Sequence, residues 1–273
     1  MNISVKEDTC EGKLRAWRTI EKYCKYARGW DFTGLDVVHG EKNGGLPWNY
    51  VNIINSYRKS WFKILDIDTG GGEVLLSIGH NNKLLYATEG YKPNVELCKE
   101  RLIPLGINFV EAHADEKLPF DNNAFDMVIC RHGSYSIEDV HRVLKENGLF
   151  ITQQVGENNN RDLIKKVIGE YKPAYPGHTL NNAINKAIQG DKFDVLEASE
   201  SRHTVKYMGM SSIIAIATRI PWEFISFSVD NNYNNLISIE NEIKANGYVV
   251  GTDDRFYMVL RKKRKTRNES ISR

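Results

Sequence analysis

Between Trp61 and Val155 short apolar runs alternate with segments whose apolar residues recur every three or four positions. The runs KILDID, KLLYATEG, INFVEAHA, FDMVICRH and LFITQQVG read as strands. They are short and nearly continuous in apolar character, the pattern of strands covered on both faces. Helical spacing follows from about Gly72, over KPNVELCKERLIPLG and over SIEDVHRVLKENG. Gly106 and Gly148 are expected to stop the last two helices as left-handed caps. Repeated strand–helix units of this length predict an α/β chain with a mostly parallel sheet and helices on both faces.

Outside that stretch the pattern changes. Leu14, Trp17, Ile20, Tyr23 and Cys24 carry helical spacing over residues 11–28. The segment ARGWDFTGLDVVHGEKNGGLPWNY reads as an aromatic, glycine-rich loop. In the last third, RDLIKKVIGEY and LNNAINKAIQG read as helices, FDVLEASESRHTVKYM as a strand with a polar continuation, YNNLISIENEIKANG as a helix and RFYMVLRKK as a final strand. The apolar stretch from Met208 to Phe227 has two readings: a cap over the carboxyl edge of the sheet, or a core helix ended by Pro221. These changes divide the chain into an N-terminal helical or lid segment (1–60), a core (61–156), the rest of the sheet with a helical cap (157–260) and a basic tail (261–273). The tail has no apolar periodicity beyond Leu260, so disorder is expected there.

Composition narrows the class. With 273 residues, 41% hydrophobic and 26% charged, the chain can bury a substantial core. No apolar run approaches a membrane span, the first residues lack a secretory apolar segment, and the four cysteines show no CxxC spacing. A cytoplasmic protein with no membrane partner and no zinc site is therefore expected. The net charge of +2 is uneven, because the tail is strongly basic and the body mildly acidic. An acidic body argues against nucleic acid as the main partner, since such faces need basic charge over the contact surface.

The candidate chemistry sits where the first strand breaks, in ILDIDTGGGE. A dinucleotide fingerprint would place a third glycine where Leu75 stands, and a phosphate loop would need Gly-Lys-Ser/Thr. Asp66 and Asp68 would also repel a pyrophosphate. A ligand with a cationic end suits the two carboxylates. A metal does not, because the loop offers no His or Cys beside them.

The run ILDIDTGGGE resembles the first motif of class I S-adenosylmethionine-dependent methyltransferases, acidic-x-Gly-x-Gly-x-Gly. Asp66, Gly70 and Gly72 match, and Asp68 stands in place of the first glycine. Three more landmarks follow in family order: Glu89 at the end of the second strand, HADEKLPFDNNAFDMVICRH, and VHRVLKENGLFITQQVG before the fifth strand. The resemblance covers about Ile64 to Val155. It implies a Rossmann-like sheet of seven strands, mostly parallel with the last antiparallel, with N-terminal helices and a C-terminal cap insertion added. S-adenosylmethionine is the implied cofactor, over Asp66, Asp68, Gly70, Gly72 and Glu89, with Glu89 on the ribose. The adenine amino group would fall to Asp115, one position late for the family, or to Glu116. Arg131 and His132, just after the fourth strand, would lie near the methionine portion or the transferring methyl.

His132 is the candidate general base, with a suitable unperturbed pKa at the active edge; a role in fixing backbone or ring packing is the other reading. One of Gln153 and Gln154 is expected to face the site, because strand neighbours alternate. Trp30, Phe32 and Trp48 would close over the cofactor or pack the N-terminal helices. The expected activity is methyl transfer to a small-molecule acceptor. An RNA methyltransferase and a non-catalytic S-adenosylmethionine binder are the alternatives.

Overall fold

A computed structural model describes residues 9–30, 32, 34–39, 45–114 and 116–264. In chain order the elements are α1 (Cys10–Lys25), β1 (Val37–His39), α2 (Tyr50–Tyr57), β2 (Ile64–Ile67), α3 (Glu73–Ser77), β3 (Leu85–Glu89), α4 (Lys92–Arg101), β4 (Asn108–Glu111) and β5 (Phe125–Arg131). They continue with α5 (Ile137–Val143), β6 (Leu144–Val155), α6 (Arg161–Ile168), α7 (Leu180–Ile188), β7 (Phe193–Tyr207), α8 (Met210–Arg219), α9 (Tyr233–Asn246) and β8 (Val249–Lys262). Asp115 and the tail residues 265–273 lie outside the described residues.

One sheet runs β1-β7-β8-β6-β5-β2-β3-β4. Strands β2, β3, β4, β5 and β6 pair in parallel, and β8 lies antiparallel between β6 and β7. The expected seven strands are present, and β1 adds an eighth, antiparallel to β7 at the sheet edge. The loop reading of residues 27–50 concealed it, because three residues with a partly exposed pattern give no periodic signal.

The continuous apolar runs follow from burial on both sides. Leu65, Ile67, Val128 and Cys130 point to one face, where α5 and α7 pack through Val140, Val143 and Leu180. Ile64, Met127 and Ile129 point to the other, against α2, α3 and α4 through Ile54, Leu75 and Cys98. A third cluster joins α1, α6, α8 and α9 around Trp17, Leu163, Ile213 and Leu236, and it includes Val205, Tyr207 and Val249 from the ends of β7 and β8. The segment Met208–Phe227 thus combines both readings offered for it. Its helix α8 buries Ile213, Ile214 and Ala217, ends before Pro221, and packs in the layer that extends past the sheet.

One expected helix end moves. Helix α5 stops at Val143 rather than at Gly148, and β6 begins at Leu144. The left-handed residue of this junction is Asn147, with φ 60°, and Gly148 is not in that region. Gly106, by contrast, takes φ 80° as the cap of the short turn after α4.

Candidate active site

Among the described residues, the candidates for cofactor binding and catalysis, Glu116 and the aromatic residues before β2 apart, lie at the carboxyl ends of β2, β3, β5 and β6. Ligands of open parallel sheets bind at this edge. After β2 the chain turns sharply, with Asp68, Gly70 and Gly72 at φ 52°, 67° and 79°. Glycine tolerates these angles freely, and an aspartate is among the few other residues that do. At Gly72 a Cβ would come within 2.6 Å of the Leu102 side chain, so the loop packs closely on the residue that follows α4.

Asp66 is 3% exposed and accepts a hydrogen bond from Thr69 Oγ1 at 2.6 Å. Burial, and then the neighbouring Asp68 and Glu89 charges, push its pKa up to about 7 against the pull of that hydrogen bond. Asp68 turns its carboxylate toward the β5–α5 loop, where Oδ2 accepts the Ser134 backbone N–H at 3.0 Å. The position that resembles a family glycine therefore links the first loop to the fourth.

Glu89 is buried and engaged on both oxygens. Oε1 accepts from the backbone N–H groups of Gly90 and Tyr91 at 2.9 and 2.8 Å, and Oε2 from Gly70 N at 2.9 Å and Asn94 Nδ2 at 3.4 Å. A carboxylate offers about four acceptor positions, so Glu89 already clamps the glycine loop to β3. Burial raises its pKa and these donors oppose the rise. Asn94, which the sequence reading passed over, also accepts from Gly29 N at 2.9 Å. Its only signal was a polar residue on the inward face of a helix.

The aromatic segment before the core covers this corner. Trp30 lies against Gly70, where a Cβ would approach its ring to 2.9 Å. It stacks with Phe32 and Tyr91 at centroid distances of 6.5 and 6.2 Å and meets Trp222 edge-on at 5.6 Å. Arg219 of α8 donates to Gly29 O at 2.6 Å and sits 4.3 Å over the Phe32 ring. Glu116 is exposed on the turn after β4, its N–H bonded to His113 O.

A cavity of about 440 Å³ is lined in part by Trp48, Asn49, Tyr50, Val74, Arg131 and Gln153. Gln153 faces it, whereas Gln154 turns away to bond Gly133 O and Thr152 Oγ1. An indole N–H only donates, and Trp48 Nε1 lies 2.8 Å from Gln153 Oε1, which fixes the amide's orientation. The Gln153 NH₂ therefore points at His132 Nε2, 3.0 Å away, and that nitrogen accepts. The ring is neutral with its proton on Nδ1. Desolvation of the imidazole, and then the charges of Arg255 and Arg131, hold it well below the ordinary histidine pKa although the residue keeps exposed surface. His132 also adopts φ 59° and donates its backbone N–H to Gln153 O at 2.8 Å. The expected base is thus a neutral ring whose Nε2 lone pair is already taken.

The arrangement fits S-adenosylmethionine. Asp66 and Asp68 supply negative charge for its cationic end, and Arg131 a guanidinium for its carboxylate. Residues 65–152 match the family model described as methyltransferase domain. The phthiotriol/phenolphthiotriol dimycocerosates methyltransferase of Mycobacterium tuberculosis is 31% identical over 125 residues, which span 39% of this chain and 45% of that protein. The ubiquinone/menaquinone biosynthesis C-methyltransferase UbiE of Azotobacter vinelandii is 29% identical over 157 residues, 51% of this chain and 61% of that one. The chain thus covers less than two thirds of either relative. The crystal structure of the YcgJ protein of Bacillus subtilis superposes with a TM-score of 0.53 at 15% identity, over 80% of this chain and 99% of that chain, a likeness of fold.

Proposed function

We propose that the chain is a class I S-adenosylmethionine-dependent methyltransferase, the family its residues 65–152 resemble, and that it methylates a small organic acceptor seated in the cavity beside Arg131 and Gln153. The observation that carries this reading is the cavity itself. Its volume of about 440 Å³ falls in the range of small-molecule sites, roughly 300–1,000 Å³, and its lining includes Val74, two residues beyond Gly72. Both named relatives are, by name, enzymes of small-molecule chemistry.

S-adenosylmethionine supplies a methyl group on a sulfonium that needs no further activation. The chain's own residues then bind, orient and exclude water. Asp66 and Asp68 hold negative potential at the methionine end, and Arg131 faces the methionine carboxylate. Glu89 takes a ribose hydroxyl in exchange for its long contact with Asn94. Trp30 and Tyr91 shield the nucleoside. Gln153, held by Trp48, fixes His132 so that the imidazole presents a donor and not a base. An acceptor whose nucleophilic atom is neutral or already ionised suits such a site.

Calorimetric titration with S-adenosylhomocysteine should give a micromolar or tighter Kd, weakened by about 1.5–3 kcal/mol in Glu89→Gln, the range for a charge-assisted hydrogen bond. No saturation at millimolar ligand removes the cofactor. A bound structure with the sulfur turned away from the Arg131–Gln153 cavity removes the small acceptor.

A further inference from the structure

Three side chains far apart in sequence meet on β1, β7 and β8. Among the described residues, His39, His203 and Asp253 form the group whose ligating atoms lie within 4.8 Å of one another. The register explains the meeting. His203 stands directly opposite Asp253, and His39 stands opposite Val205, two residues along the same face of β7. Asp253 Oδ2 lies 3.2 Å from His203 Nε2 and 3.5 Å from His39 Nδ1.

We propose that His39, His203 and Asp253 bind a divalent first-row transition ion, zinc being the ion of choice, with one coordination position left open. Tetrahedral zinc with bonds of about 2.0–2.2 Å sets its ligand atoms roughly 3.3–3.5 Å apart, close to the two spacings observed. Two imidazoles and one carboxylate are a donor set that such ions take and that calcium or magnesium does not.

Three further observations point to a ligand. Both ring nitrogens of His203 are buried with no hydrogen-bond partner, and the 3.2 Å approach of Asp253 Oδ2 to Nε2 is an ion-pair contact. Leaving two such atoms unsatisfied is costly, and a metal on Nε2 would remove half of that cost. Second, a Cβ at Gly45 would sit 2.3 Å from Nε2, so a glycine at this position keeps a side chain off that nitrogen. Third, Asp253 Oδ1 is held by Arg255 NH1 at 2.7 Å, which aims Oδ2 at the two rings. Supporting partners of this kind orient ligands in metal sites. His39 is 45% exposed and gives the ion a way in.

The site is distinct from the methyl-transfer cavity. Gln153 pairs with Tyr257, and Asp253 lies four residues along β8, roughly 13 Å away at the usual rise per strand residue. The proposal therefore stands whether or not the chain transfers methyl groups.

The full chain, stripped with a chelator, is titrated with Co²⁺ followed by visible absorption and with Zn²⁺ followed by calorimetry. One equivalent of either ion should bind. The cobalt form should show the intense d–d bands of a low-coordinate site, displaced by zinc. His39→Gln and His203→Gln should each weaken binding by more than the about 10–100-fold that a lost supporting contact costs. His39 sits in a short edge strand, so His39→Gln should melt with the parent and keeps the test clear of misfolding. Absence of saturable binding of both ions overturns the proposal. So does binding that survives both substitutions, and the cluster is then an ion pair alone.

Discussion

Asp66 is the residue whose charge the fold makes most conditional. Its pKa of about 7 in the folded chain stands well above the ordinary aspartate value of about 3.9. The folded state therefore binds this proton more tightly than the unfolded state. The group's contribution to stability is complete below about pH 4 and is lost as pH rises toward 7. A cationic ligand reverses the preference by favouring the carboxylate. Binding of S-adenosylmethionine at pH 6 should then release a large part of a proton from Asp66, and much less at pH 8. Calorimetry in two buffers of different ionisation enthalpy measures this directly, and equal heats at pH 6 would show that Asp66 does not face the cation. Asp68 separates charge from geometry. Asp68→Asn keeps an acceptor for Ser134 N but removes the charge, and should weaken S-adenosylhomocysteine binding several-fold, about 1 kcal/mol for a partly exposed pair. Asp68→Gly relieves the left-handed backbone and releases the β5–α5 loop together. Unchanged affinity in Asp68→Asn at low and high salt would leave Asp68 a loop tie and nothing more.

At the scale of elements, the strands of the core were legible because burial on both faces writes a continuous apolar run. Ile64–Ile67 and Phe125–Arg131 came through on that signal. Strand β1 did not, since its three residues pair only with β7 and bury little. Helix α5 was read too long because Leu144 is apolar in either structure. The break is set by a tertiary bridge, Leu144 opposite Phe125, and not by local propensity. Asn147 absorbs the turn at φ 60°. A β-branched residue there meets the left-handed penalty of about 1–2 kcal/mol. Asn147→Val should lower the urea midpoint correspondingly without changing the m-value, whereas Asn147→Gly should leave stability equal or higher. A harmless Asn147→Val would mean that the junction re-forms without a left-handed residue.

Across the whole molecule, the position of Asp66 and Glu89 beside one glycine loop could be read from the sequence, but the connection of that loop to the cap could not. Residues 29, 94 and 219 are remote along the chain, and no periodicity links them. The fold joins them in series: Arg219 of α8 donates to Gly29 O, Gly29 N to Asn94 Oδ1, and Asn94 Nδ2 reaches Glu89, which holds Gly70 N. The α1–α8–α9 layer thereby holds Trp30 over the glycine loop, and the Arg219 guanidinium over Phe32 adds to the hold. Cutting the series at its far end leaves every residue at the loop in place. Arg219→Ala should weaken S-adenosylhomocysteine binding by about 1–2 kcal/mol, the scale of one hydrogen bond to a charged group. It should also expose the chain to tryptic cleavage at Arg28, beside the loosened segment, because such cleavage follows the population of the opened state. Saturating ligand should suppress that cleavage in the parent and much less in the variant. If Arg219→Ala binds as the parent does and resists trypsin equally, the aromatic cover is held by its ring contacts, that with Trp222 of the cap included, and Arg219 adds nothing to the grip of the cap on the cofactor loop.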